Sequence, residues 1–230
     1  MTPERLERIK TTLDRRQPDL TVITDEVYKS HNLSAIVRTC DAFAIPDVHC
    51  VWASEPFRLQ TGTAAGSGSW VEVNTHPNID SAITQLKSQG MTVCAAHFSE
   101  RAIDFRQYDY TQPTALLMGA EKVGVSHTAA EMADEHLIIP MQGMVQSFNV
   151  SVAAAIILSE AVRQREVAGM FEHSHLEKTR YEQLLFEWAR PIETRLCKKY
   201  NVPYPALRED GEIADPQAFS ELINRLSQQS

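Results

Sequence analysis

Residues 136–155 read HLIIPMQGMVQSFNVSVAAA. A short apolar run, strand-like at 136–140, passes through a polar stretch into an apolar run of helical character that extends to Gly169. A plain turn would join the two. Instead Gln146, Ser147 and Asn149 are gathered at the mouth of the helix. A strand followed by a helix is half of a βαβ unit, so this stretch directs the search to the rest of an α/β fold.

That pattern recurs upstream. DLTVITDEV (19–27) is rich in β-branched residues and reads as a strand, and NLSAIVRTCDAFAI (32–45) carries Leu33, Ile36, Val37, Cys40 and Phe43 at a helical period. DVHCVWA (47–53), WVEVNTH (70–76), MTVCAAH (91–97) and TALLMG (114–119) read as further strands, and RLQTGTAAGSGS (58–69) as a small-residue loop. NIDSAITQLKSQG (78–90) is a helix with Asn78 or Asp80 as N-cap, and SHTAAEMAD (126–134) is a short helix capped by Ser126. WVEVNTH alternates, but the strands are mostly continuous apolar runs, which predicts a mostly parallel sheet covered by helices on both faces. Ligands in such folds gather beyond the carboxyl ends of strands. After Gly169 the chain is charged and weakly patterned, with a loop at 201–216 and a short helix at 217–226.

The 230 residues suit one domain of fair size with appended terminal segments. No apolar run approaches the roughly 18 residues needed to span a bilayer, and the charged start lacks the apolar core of a secretory signal. Cys40, Cys50, Cys94 and Cys197 lack metal-ligand spacing, which predicts neither metal nor disulfides and fits a reducing cytoplasm. The net charge of −8 argues against a nucleic-acid partner, yet Arg5, Arg8, Thr12 and Arg15 fall on one face of a predicted first helix. That face is either an ordinary solvated surface or a stripe for a phosphate backbone.

Three loops at strand ends concentrate polar residues and glycines: Ala96–His97, MGAEKVGVS (118–126) and the opening stretch. Neither glycine loop has the spacing of a Rossmann fingerprint or a P-loop. Asn32 is most simply a helix N-cap, as are Ser147, Asn149 or Ser151. Arg38, on a helix apolar enough to be core, must snorkel, pair with a carboxylate or meet an anion.

NLSAIVRT (32–39), LLMGAEKVGVS (116–126) and IIPMQGMVQSFNVSVAAAI (138–156), in this order, closely resemble the three motifs of the SpoU-type RNA 2′-O-ribose methyltransferases. RRQPDLTV (15–22) and DFRQYDYTQPTALLMGAEK (104–122) bring the match nearest to members that methylate guanosine 18 in the tRNA D-loop. The resemblance covers residues 1 to about 170. It implies a homodimeric α/β protein with a C-terminal deep trefoil knot over roughly residues 114–165 and with helical N- and C-terminal extensions. On this reading residues 1–20 form a basic helical extension that contacts RNA, residues 21–169 the knotted methyltransferase domain, and residues 170–230 a helical and loop extension. Methylation of ribosomal RNA, or RNA binding without turnover, are the rival readings.

The resemblance further implies S-adenosylmethionine held by Ala96, Gly119, Ile139, Met141 and Phe148, and a reacting ribose surrounded by Asn32, Arg38, Glu121, Ser147 and Asn149. Arg38 matches the catalytic arginine proposed as base. A guanidinium loses its proton only above about pH 12, so an alternative is that Arg38 stabilises the developing alkoxide while a phosphate oxygen or water takes the proton. Glu121 is expected to hold its loop or Asn32 by a hydrogen bond. RNA phosphates are expected at Arg8, Arg15, Arg16, Arg163 and Arg165, with His31 and His97 as neighbours of the site and not catalysts.

Overall fold

The computed structural model describes residues 1–52 and 66–228. Seven strands form one sheet: β1 (Leu20–Asp25), β2 (Asp47–Val51), β3 (Glu72–His76), β4 (Thr92–Ala96), β5 (Ile103–Asp104), β6 (Thr114–Gly119) and β7 (Glu135–Ile138). Their order is β3-β2-β1-β6-β4-β7-β5, and every neighbouring pair is parallel. The helices are α1 (Pro3–Asp14), α2 (Ser30–Ala42), α3 (Ile79–Ser88), α4 (His127–Met132), α5 (Val150–Val167), α6 (Lys178–Ala189), α7 (Pro191–Tyr200) and α8 (Pro216–Ser227). No helix is long and apolar enough to cross a membrane, among the described residues.

All six residues of β1 are buried, Thr21, Thr24 and Asp25 among them, as a central strand covered on both faces requires. Successive side chains go to opposite faces. Leu20, Val22, Leu116 and Met118 pack with α2 and α5 through Leu33, Val37, Ala154 and Leu158. Ile23, Ala115 and Leu117 pack with α3 and α4 through Ile83, Leu86 and Ala129. The strand order reverses around β1, so the carboxyl ends of β1 and β6 meet where a crevice forms.

The predicted strands fall where expected, and Asn78 is the N-cap of α3, accepting from the Ser81 N–H at 2.9 Å. The short strand β5 lies in a stretch that reads as irregular, because two residues carry no period. The predicted loop at 58–69 lies outside the described residues up to 65, and Ser67–Ser69 forms a single 3₁₀ turn. Asn32 is not the N-cap of α2. The helix starts earlier, with Lys29 at the cap and no side-chain capping bond, so Asn32 lies inside the first turn.

The chain divides into two compact units, Gln17–Glu172 and a second that joins Met1–Arg16 to His173–Ser230. In the second unit α1 packs Leu6, Ile9 and Leu13 inward, Phe186 stacks on Tyr204 with centroids 4.7 Å apart, and the Met1 ammonium pairs with Glu212 at 3.2 Å. Arg16 belongs to this interior: it is fully buried, with its guanidinium 5.2 Å from the centre of the Trp188 ring. A phosphate therefore has no access to it, which corrects its expected RNA role.

Arg165 is corrected for the same reason. It is fully buried near the end of α5, where it donates to Tyr110 O (2.9 Å), Gln17 Oε1 (3.0 Å), Asp19 Oδ1 (2.5 Å) and Gln112 O (3.2 Å). Gln164 adds bonds to Tyr108 O at 3.0 Å and from Tyr110 N–H at 2.9 Å. The end of α5 is thus tied to the segment before β6 and to the entry of β1. Arg165→Met leaves these acceptors buried without a donor and should cost about 3–5 kcal/mol, read as a lower urea midpoint at unchanged m-value.

Candidate active site

The carboxyl ends of β4, β6 and β7 open into a cleft of about 880 Å³. Ala96, Gly119, Ile139, Met141 and Phe148, the expected cofactor residues, all line it, as do Glu121 and Ser147. The volume falls in the range of about 300–1,000 Å³ typical of small-molecule and cofactor sites. The lining includes the apolar side chains of Ile139, Met141 and Phe148 together with Gly119 to Gly124 of the loop after β6. Such a combination suits a flat heteroaromatic base with a polar ribose attached.

That loop is shaped by Gly119. A Cβ there would lie 2.1 Å from the Gly124 carbonyl carbon and from the Val125 nitrogen, inside any possible contact. The chain doubles back over Gly119, closed by the Gly124 N–H donating to Ala120 O at 2.8 Å. Gly124 itself has φ +72°, a left-handed conformation that favours glycine. Glu121 is carried on this hairpin-like excursion.

Three side chains distant in sequence meet beside it. The Asn149 Nδ2 donates to Asn32 Oδ1 at 3.2 Å, and the Asn32 Nδ2 donates to Glu121 Oε1. Asn149 is also the N-cap of α5: its Oδ1 accepts from the Ser151 N–H at 2.9 Å and from the Ser151 hydroxyl at 2.7 Å. One amide thus caps the helix with its oxygen and joins the relay with its nitrogen. This is why the chain places an asparagine at the mouth of α5. Asn32 is 3% exposed, so both its amide atoms need partners, and both have them.

The structure does not bring the other expected residues into this relay. Arg38 is exposed on α2, six residues from Asn32 and so about 120° from it around the helix. An exposed setting resolves the apparent conflict of an arginine on an apolar helix. Ser147 stands exposed on the cleft wall. His97 also lines the cleft. Burial, with His136 and Arg101 nearby, holds its imidazole below the usual histidine range. Of the expected RNA contacts, Arg8 and Arg15 are exposed, and Arg163, also exposed, forms a bidentate pair with Glu160 at 2.8 and 2.7 Å.

Asp25 is a polar residue near the site that no sequence motif singles out. It ends β1, is 3% exposed, and accepts from the Ser126 N–H at 2.9 Å. The available signal is a lone acid at the last position of a strand otherwise made of apolar and threonine residues. No group of three or more His, Cys, Asp and Glu side chains is arranged to hold a metal, among the described residues.

The fold and these motifs match known proteins. Residues 19–159 match the SpoU rRNA Methylase family, and residues 163–216 match the C-terminal region described as SpoU, rRNA methylase, C-terminal. The chain belongs to the SpoU methylase family. It is 50% identical over 215 residues to the tRNA (guanosine(18)-2′-O)-methyltransferase of Escherichia coli (strain K12), covering 93% of this chain and 94% of that one. The tRNA (guanosine(18)-2′-O)-methyltransferase of Thermus thermophilus is 49% identical over 189 residues, 82% of this chain and 97% of that one. Among solved structures, the Aquifex aeolicus TrmH/SpoU tRNA modifying enzyme superposes with a TM-score of 0.76 at 40% identity, over 80% of this chain and 94% of that chain. An AdoMet-bound rRNA methyltransferase from Sinorhizobium meliloti gives a TM-score of 0.59 at 30% identity, over 67% and 59% of the two chains.

Substitutions at Asn149 separate its two bonds. Both Asn149→Ser and Asn149→Ala leave the buried Asn32 oxygen without its donor, at a cost of about 1–3 kcal/mol, but Asn149→Ser keeps an N-cap oxygen and should be the more stable of the two by about 1 kcal/mol in urea unfolding. Both remove the donor to Asn32. Both should therefore depress activity together, and an active serine variant would show that the relay is dispensable.

Proposed function

We propose that the protein is a tRNA (guanosine-18-2′-O)-methyltransferase that uses S-adenosylmethionine to methylate a ribose 2′-hydroxyl in the D-loop. The observation that carries this reading is the relay of Asn149, Asn32 and Glu121 at the lip of the cleft. It joins all the matched motifs, in a chain 50% identical to a relative of that activity. The cleft's apolar side chains and its glycine-shaped backbone fit the methyl donor.

S-adenosylmethionine, when bound, supplies an activated methyl group with a good leaving group already attached. The chain's own residues then have two tasks, alignment and management of the hydroxyl proton. Ala96, Gly119, Ile139, Met141 and Phe148 hold the donor. The relay fixes the lip against which the ribose is aligned, with Ser147 beside it. Arg38 engages the RNA and stabilises the developing alkoxide, while a phosphate oxygen or water accepts the proton.

The outward setting of Arg38 agrees with a homodimer in which each site draws on both protomers. Phe98, Val123, Met144, Val145 and Val152 are exposed apolar side chains, Met144 fully so, and a second copy would cover them. The trefoil knot belongs to the same proposal, with the chain from β6 to α5 enclosing the donor. Arg8 and Arg15 on the terminal unit, and Arg163 after exchange of its carboxylate partner, remain the phosphate contacts. These fix register without reading bases. The free, buried cysteines suit work in the cytoplasm, where tRNA is modified.

Incubation with radiolabelled S-adenosylmethionine and an unmodified tRNA transcript should place one methyl on the 2′-oxygen of guanosine 18. A mark at another nucleotide overturns the assignment. Arg38→Ala should slow turnover about 100- to 1,000-fold, the scale of losing one transition-state donor. Donor affinity by calorimetry should be unchanged, and near-normal turnover removes Arg38 from the chemistry.

A further inference from the structure

We propose that Asp25 is a positioning residue for methyl transfer, anchoring from the end of β1 the loop that carries Glu121. This rests on the activity proposed above. Asp25 pairs in register with Gly119, the last residue of β6, so the strand ladder fixes where the Gly119–Ser126 loop begins. The Asp25 carboxylate fixes where it ends, accepting from the Ser126 N–H at 2.9 Å. The Ser126 hydroxyl in turn caps α4 by accepting from the Ala129 N–H at 3.3 Å. Between these anchors the backbone crosses Gly119 without room for a Cβ and closes on itself at Ala120 and Gly124.

A loop pinned at both ends and pinched in the middle leaves Glu121 few ways to move. That matters because Glu121 must meet the buried Asn32 amide, and catalytic constellations tolerate errors of only about 0.5 Å. Asp25 does not itself line the cleft. Asp25 is 3% exposed as a residue, and burial of a carboxylate is tolerated where hydrogen bonds replace its hydration. The bond to Ser126 is one such replacement, and it reaches the relay through the loop.

Single-turnover methyl transfer to the tRNA transcript tests this, with stability measured alongside. Asp25→Ala should slow transfer about 10- to 100-fold, the scale expected of a misplacement near 1 Å. Asp25→Asn keeps an oxygen able to accept from Ser126 and should recover most of that loss. The Asp25→Ala/Glu121→Ala double variant should be no slower than Glu121→Ala alone, because both act through one element. A merely structural role lowers the melting temperature and leaves the rate per folded molecule unchanged, and that result overturns the proposal. So do additive losses, or an Asp25→Asn enzyme as slow as Asp25→Ala. Should Asp25→Ala fail to fold, Asp25→Glu, which shifts the acceptor by one methylene, takes its place: a slowed rate supports the anchor and a normal rate refutes it. A wild-type enzyme that marks no transcript instead refutes the activity itself, before any variant is compared.

Discussion

The site depends on one side-chain amide. Asn149 spends its oxygen on the first turn of α5 and its nitrogen on Asn32, so the start of α5 and the start of α2 cannot shift independently. Asn32 passes the constraint to Glu121. The polarity of this chain is set by chemistry: each asparagine offers one acceptor and one donor group, and the carboxylate that terminates the relay only accepts. Buried polar groups linked in this way rigidify a site when fully satisfied and penalise it heavily when one member is lost.

α5 is held at its other end by a different device. Arg165 and Gln164 bind carbonyls and side chains of the segments that lead into β1 and β6. The helix is therefore clamped at both termini, to α2 at its start and to the segments leading into β1 and β6 at its end, while its middle packs Ala154, Ile157, Leu158 and Ala161 into the core. Precision at the lip of the cleft is built from bonds well outside it. The backbone contributes as well, since the missing Cβ at Gly119 lets the loop cross close enough for Glu121 to reach Asn32.

Charge counting misleads in this protein. Arg16 and Arg165 look like surface cations in the sequence, and both are interior groups, one against Trp188 and the other ringed by acceptors. Arg163, two residues before Arg165, is exposed and bound to Glu160. Arginine has five N–H donors in a planar fork, so it serves equally to tie carbonyls together inside a fold and to grip a phosphate. Its residue type alone does not tell which.

By itself the sequence determined the parallel sheet, the order of its six longer strands and of the helices up to Gly169, and the loops where a ligand would lie, but not the two-residue β5 or the helices α6 and α7. Those features are local: the β-branched run at β1, the apolar run at β6, the helical period in α2, and glycines at the end of β6 are visible in short windows. It also pointed to Glu121, set between two glycines at a strand end, as holding either its own loop or Asn32 by a hydrogen bond; the structure has it accept from Asn32. Only the tertiary structure decided that Asn32 lies within α2 instead of capping it, that Asn149 does two tasks, that Asp25 reaches Ser126, and that two of the expected RNA arginines are buried. The physical reason is that a hydrogen bond between residues more than a hundred positions apart, or the burial of a cation, is set by which surfaces the sheet brings together. No local periodicity encodes that.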